Sequence, residues 1–241
     1  MKRKTYIETG ASFHVIDTEE DFHSFKDLKL VLAPFVIPPA KPKINLLDIE
    51  GMDGSLDLTE ANGEIKYFDR EFKFTFTVFP QDDCTFEERQ TIVSNAINGK
   101  RCKITLDKDP DYYFIGRCMV NDHLCDKMLR QIVVIATVSP YKLLQNVTNV
   151  QFTISKSEAT TIYVINRRKS VLPTIKCVLD NPTSTDSVVL TNNRTGQSVT
   201  IYQTSVAYSY SAIQLLKGAN EFTVSSTANG TITFSYQEGD L

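Results

Sequence analysis

The sequence has no tryptophan and only three histidines among its 241 residues. The first absence removes the side chain best suited to stacking on a sugar ring, and the second leaves little for acid–base or zinc chemistry. His14, His23 and His123 stand in no catalytic or metal-binding spacing, and no G-x-S-x-G, H-E-x-x-H or glycine-rich phosphate loop occurs. No hydrophobic run approaches the roughly 20 residues of a spanning helix. The longest are Leu30–Ile37, broken by Pro34, and Ile132–Val138. The basic start MKRK is not followed by an apolar core, so no secretory signal is expected. Positive charge is not in excess either. The 26 Lys and Arg against 29 Asp and Glu give a formal net charge of −3, with the signs interleaved. That pattern speaks against binding a nucleic-acid backbone. Five cysteines, Cys84, Cys102, Cys118, Cys125 and Cys177, are an odd number and read as free thiols rather than a disulfide framework.

What is present is enough chain for one large or two ordinary domains, with no internal repeat and no low-complexity tract. Composition changes near residue 142. Residues 1–142 hold 19 of the 26 basic and 23 of the 29 acidic side chains, whereas Ser, Thr and Asn number 20 before that point and 35 after it. The boundary is expected in or just after Ser139-Pro140-Tyr141-Lys142, because Pro140 lacks a ladder donor and ends the apolar run before it.

The first part reads as strands with one helix. Glu71–Phe79 alternates, placing Phe72, Phe74, Phe76 and Val78 on one face, and Gln131–Val138 is a β-branched run suited to burial on both faces. Phe86–Asn98 is predicted helical, with Thr85 and Glu88 as a capping box, Ile92, Val93, Ala96 and Ile97 as the apolar stripe, and Gly99 as the stop. The second part reads as all-β. Short strands are expected at Gln151–Ser155, Thr161–Ile165, Thr174–Leu179, Ser187–Leu190, Ser198–Gln203, Ala212–Leu215, Glu221–Ser225 and Thr231–Tyr236. Asn229-Gly230 is the strongest hairpin signal among the turns, and the spacing suggests a two-sheet sandwich.

Several local patterns have ordinary explanations. Asp107-Lys108-Asp109-Pro110-Asp111 opens like a calcium loop, but Tyr112 and Cys118 stand where glycine and glutamate are needed, so an acidic turn is the reading. Cys118, His123 and Cys125 match no common zinc spacing and read as buried or half-buried strand residues. Neither metal nor cofactor is expected. Glu19-Glu20 and Asp82-Asp83 read as solvated loops.

Three stretches together carry a resemblance. The first is Ile49-Glu-Gly-Met-Asp-Gly-Ser-Leu-Asp-Leu-Thr59 followed by Tyr67-Phe-Asp-Arg70 and the alternating strand. The second is the helix, then Lys103–Leu106, then Tyr113-Phe-Ile-Gly-Arg117. The third is Gly218-Ala-Asn220, a strand pair around Asn229-Gly230, Phe234-Ser-Tyr236 and an acidic tail. In this order they resemble the distal tail protein family, Dit, of phages with long non-contractile tails. The resemblance implies a β-rich belt domain over residues 1–142 and a galectin-like β-sandwich over 143–241. It implies a structural, non-enzymatic protein of a phage or prophage, made in the bacterial host cytoplasm and placed at the virion's tail tip. Six copies would close a ring between the tail tube protein and a tail-associated or receptor-binding protein, with no nucleic-acid or membrane partner.

Residue expectations follow from both lines of reasoning. Asp53, Asp57, Leu58, Arg70 and Arg117 are candidate subunit-interface residues, since charges in or beside strand-forming segments are costly unless paired. Gly51, Gly54 and Gly116 are read as turn or bulge positions. Ile49–Phe72 is expected to form an extended hairpin reaching a neighbouring copy, turning at Ala61-Asn62-Gly63. The alternative function is a carbohydrate-binding sandwich module for adhesion to host cell surfaces, with Tyr208 and Tyr210 on one face as its platform.

Overall fold

We describe the chain from a computed structural model, which covers residues 10–241 apart from 62, 80–82, 157, 168, 182, 184 and 203–207, and apart from the side chain of His123. The structure is mainly β, with one α-helix among the described residues. It divides into two compact units, one running to Lys142 and taking in Leu241, the other Leu143–Asp240.

The first unit carries β1 (Ala11–Val15), β2 (Asp21–His23), β3 (Leu30–Leu32), β4 (Leu46–Asp48), β5 (Ser55–Asp57), β6 (Arg70–Val78), α1 (Phe86–Ile97), β7 (Arg101–Leu106), β8 (Asp109–Val120) and β9 (Gln131–Val138). Its main sheet runs β2-β1-β7-β8-β9-β6-β3, antiparallel throughout. The alternation of β6 sets the core. Phe72, Phe74 and Phe76 are fully buried and meet Phe13, Phe35 and Phe114 through edge-to-face and tilted ring contacts. Each such ring removed from water is worth about 2–3 kcal/mol. The other face of this sheet bears the charged and threonine side chains of β6, β7 and β8. Burial of β9 is uneven, since Val133 is buried on that second face while Thr137 is exposed.

The helix forms where expected, with the Thr85–Glu88 capping box in place, and ends one residue sooner. Asn98 serves as its C-terminal cap, and its side-chain oxygen accepts a bond from Val120 N at 2.9 Å. Gly99 follows at φ 73°. The buried stripe is Arg89, Val93, Ala96 and Ile97, and Ile92 is 42% exposed. Helical spacing puts Ile92 at the margin of that stripe, so it loses its place to the stem of Arg89.

Three early strands were not legible from periodicity. Side-chain bonds hold them: Asp107 Oδ2 accepts from Gly10 N at 2.6 Å and pairs with His23 Nε2 at 3.2 Å, while His23 Nδ1 accepts from Phe25 N and Lys26 N at 3.1 and 3.2 Å. The acidic turn after β7 therefore works as an internal clasp. Among the described residues no group of three or more His, Cys, Asp or Glu is placed to hold a metal.

The second unit carries β11 (Thr148–Ile154), β12 (Thr160–Asn166), β13 (Thr174–Leu179), β14 (Ser187–Asn192), β15 (Ser198–Tyr202), β16 (Tyr208–Ser209), β17 (Gly218–Ser226) and β18 (Gly230–Tyr236). The short β10 (Lys142–Leu144) precedes them and pairs with β19 (Gly239–Asp240), which follows. Two four-stranded sheets, β11-β18-β13-β16 and β12-β17-β14-β15, share one core around Phe222, Phe234, Ile175 and Leu190. Buried Asn166, Asn192 and Asn220 satisfy loop backbone groups; Asn220, for example, both donates to and accepts from Leu216 at 2.8 Å.

Two sequence expectations need correction here. Asn229-Gly230 is not a hairpin turn, because β17 and β18 lie in different sheets. The pair is a crossover. Asn229 accepts from Lys156 N through its side chain and from Asp180 N through its carbonyl, and a Cβ on Gly230 would overlap the Val178 carbonyl. Ala212–Leu215 is not a strand. Ile213 closes a turn onto Tyr210 O, and only Leu215 makes a bridge, to Val171.

Candidate assembly interface

Between β3 and β6 the chain leaves the main sheet as an arm. The backbone runs outward past Ile37, pairs Lys43 N with Lys66 O and Leu58 N with Asn45 O, and joins β4 to β5 in the register Leu46–Asp57, Leu47–Leu56 and Asp48–Ser55. The tip is 49–54, where Gly51 and Gly54 take φ of 83° and 77°, a region that L side chains enter only with strain. The reversal therefore falls at 49–54 and not at Ala61-Asn62-Gly63. Turns do form beside the latter, Ala61 N bonding to Leu58 O at 3.1 Å and Gly63 N to Glu60 O at 2.7 Å, but they lie within the returning limb, and Asn62 lies outside the described residues. The polar, glycine-bearing stretch at 51–54 is the shorter route between two leucine-containing strands, so it takes the reversal.

Every residue from Lys41 to Asp57 is exposed. They include Ile44, Leu46, Leu47, Ile49, Met52 and Leu56, with Ile44 at 66% and Leu46 at 56% exposure. Asp48, Glu50, Asp53 and Asp57 stand among them, and no lysine or arginine lies between Ile44 and Leu58. Asp57 is held charged, because the hydroxyl and backbone N–H of Thr59 keep its carboxyl below the usual range. Leu58 is half-buried and Asp53 is exposed at the tip.

At the base of the arm stands Arg70, only 6% exposed. It donates to the carbonyls of Pro38, at 3.1 Å, and Pro140, and its guanidinium lies 5.8 Å from the Phe114 ring. Burial lowers its pKa without threatening its charge. Sequence reasoning grouped Arg70 with the subunit-interface candidates as a charge in need of a partner; the structure gives it partners inside its own unit, where it holds both limbs of the arm to the end of β9. The signal that would have separated it is its position on the core-facing, phenylalanine-bearing side of β6.

Arg117 is exposed on the opposite face of the sheet, and directly across from it in β7 stands Arg101, which the sequence did not single out. Arg117 Nη1 donates to Gly99 O at 2.5 Å. The two arginines line a concavity of about 440 Å3 together with Asp69, Ile115 and Thr137. Gly116, which precedes Arg117 in β8 and pairs with Cys102, is neither turn nor bulge. It sits mid-strand, where a Cβ would overlap the Thr137 carbonyl oxygen and Val138, so glycine is required by close approach of β9.

The remaining candidates are not assembled into a site. Cys118 and Cys102 are buried on neighbouring strands; hydrogen bonding with Cys102 and then burial push the Cys118 thiol far up. Cys125 is half-buried at the end of a short 3-10 turn, and the His123 side chain lies outside the described residues. Tyr210 is half-buried and packs against the core of the second unit, while Tyr208, two residues before it, is exposed. Among the described residues no helix is long and apolar enough to cross a membrane.

No family model matches the sequence, and no curated protein matches it. Solved structures do. The Dit protein (gp 19.1) of SPP1, described as a paradigm of the hub adsorption apparatus in phages infecting Gram-positive bacteria, matches with a TM-score of 0.62 at 14% identity, over 95% of this chain and 98% of that one. The baseplate of phage P2 in its activated conformation with Ca matches over the same shares at 7% identity, with a TM-score of 0.39, too loose to bear on the fold. From end to end, the chain shares the Dit-like fold of the SPP1 tail-hub protein.

Proposed function

We propose that this protein is a structural subunit of a phage or prophage tail tip. Six copies form a ring that joins the tail tube to the tail-associated or receptor-binding apparatus. The shared fold supports this reading, because the SPP1 protein is a hub of an adsorption apparatus. The observation that carries it is the arm. A row of aliphatic side chains on a fully exposed ribbon is a surface that a soluble monomer seldom leaves bare. A contact that seats it on a different surface of the next copy is heterologous, and heterologous contacts close into a ring when the rotation between copies returns to its start.

The test is to replace Leu46–Asp57 with a short glycine-containing turn. The arm takes no part in the main sheet, so the variant should melt like the parent. In sedimentation velocity it should remain monomeric at concentrations where the intact chain assembles. An intact chain that assembles equally well with and without the arm would refute the proposal.

A further inference from the structure

We infer that the arm tip of one copy docks on the outward face of the main sheet of the next, over the Arg101–Arg117 pair. This rests on the ring reading above and names the surface that receives the arm. Arg101 and Arg117 are directly opposite each other on adjacent strands. Like charges so placed, with β-carbons about 5 Å apart, destabilise a sheet unless an anion lies over them. The bond from Arg117 to the Gly99 carbonyl orients its guanidinium and leaves its charge uncompensated. Lys103 and Lys73 stand on the same face, where Asp69 and Glu71 are the neighbouring carboxylates. Among the described residues no ion pair joins any of these six side chains. Ile115, Met119 and Ile135 lie between the charges, and Met119 is half exposed.

The tip presents the converse. Asp48, Glu50, Asp53 and Asp57 have no cation near them in the sequence, and Leu47, Ile49, Met52 and Leu56 are bare. A cationic surface interleaved with apolar side chains is what an acidic, aliphatic hairpin requires, and each copy carries one of each. The arm does not cover its own sheet, since both remain exposed. The contact is therefore between copies, head to tail, and leaves a tip and a face unfilled until the ring closes. Its charge component steers encounter and weakens as salt shortens the screening length.

The test reverses the charges of each patch in the whole chain. Arg101→Glu with Arg117→Glu should leave the melting temperature near the parent value, because both side chains are exposed, and should weaken assembly roughly tenfold or more. Glu50→Arg with Asp53→Arg should do the same. All four changes in one chain should restore assembly, because the two reversed patches again meet between copies. Sedimentation equilibrium at graded salt reads all three. Assembly of the arginine variant at parental strength overturns the inference while the arm-mediated ring stands. So would loss without recovery in the fourfold variant; the apolar groove of about 550 Å3 beside β3, lined by Leu32, Phe35 and Lys108, is then the alternative seat. If removing the arm has no effect on assembly, the ring reading itself fails, and this inference with it.

Discussion

Arg70 links the arm to the body of the first unit through two carbonyls that lie far apart in sequence, those of Pro38 and Pro140. A planar guanidinium can reach both at once, and a lysine ammonium cannot. Arg70→Leu should therefore lower the stability of this unit by about 2–3 kcal/mol, and Arg70→Lys should recover little of it. The denaturant midpoint should fall with unchanged slope; an unaltered midpoint would show that the two bonds carry no weight. Glycines divide in the same way. Gly51→Ala strains an open turn and should cost about 1 kcal/mol, whereas Gly116→Ala drives a methyl into the backbone of β9 and should cost at least about 2 kcal/mol. Thermal unfolding should rank them in that order, and the reverse order would contradict the packing described. Burial raises the Cys177 thiol from its usual value near 9 to about 11. Between those values the unfolded chain gives up the proton and the folded one keeps it. The contribution is thus fully present below pH 9 and lost as pH rises through the window. Cys177→Ala should flatten that decline in urea titrations of the second unit's transition; the same slope in both proteins would remove Cys177 as its source. The sequence pointed to Arg70 and Arg117 as charges in need of partners, which both are, but burial and strand register decide which partner each finds. Arg101 stayed hidden for the same reason: nothing marks it until β7 is laid beside β8.

The elements with strong local chemistry were legible, and those defined by tertiary pairing were not. Alternation marked β6, a capping box marked α1, and an aliphatic run marked β9. Thr85→Ala should cost the helix about 1 kcal/mol, measured by equilibrium unfolding, since its hydroxyl receives Glu88 N and its own N–H is received by the Glu88 carboxylate. No loss would mean that packing alone holds the first turn. β1, β2 and β3 lacked such marks, because they are short and rely on Asp107, His23 and Ser24 for registration. Asn229-Gly230 misled because a glycine needed for close approach to Val178 looks in sequence like a glycine needed for a tight turn. The arm was foreseen as a hairpin with its reversal misplaced. Two glycine-bearing stretches competed for the turn, and only pairing of Leu47 with Leu56 settles it in favour of 49–54.

At the scale of the molecule, the change in composition near residue 142 coincides with two separate cores, one of phenylalanines from the main sheet and one between the two four-stranded sheets. The charged half carries the arm and the arginine face, and the Ser/Thr/Asn-rich half supplies neither. Residues 143–240 should accordingly fold alone and melt cooperatively as a monomer at every concentration. A concentration-dependent melt of that fragment would move assembly determinants into the sandwich. The central claim is that the first unit closes a ring by passing its arm to a neighbour. Native mass spectrometry of the intact chain over a wide concentration range tests it most directly. The account predicts a discrete six-subunit species, or two such rings stacked, that disappears when Leu46–Asp57 is replaced by a short turn. Monomers and dimers alone at every concentration, with or without the arm, would contradict it.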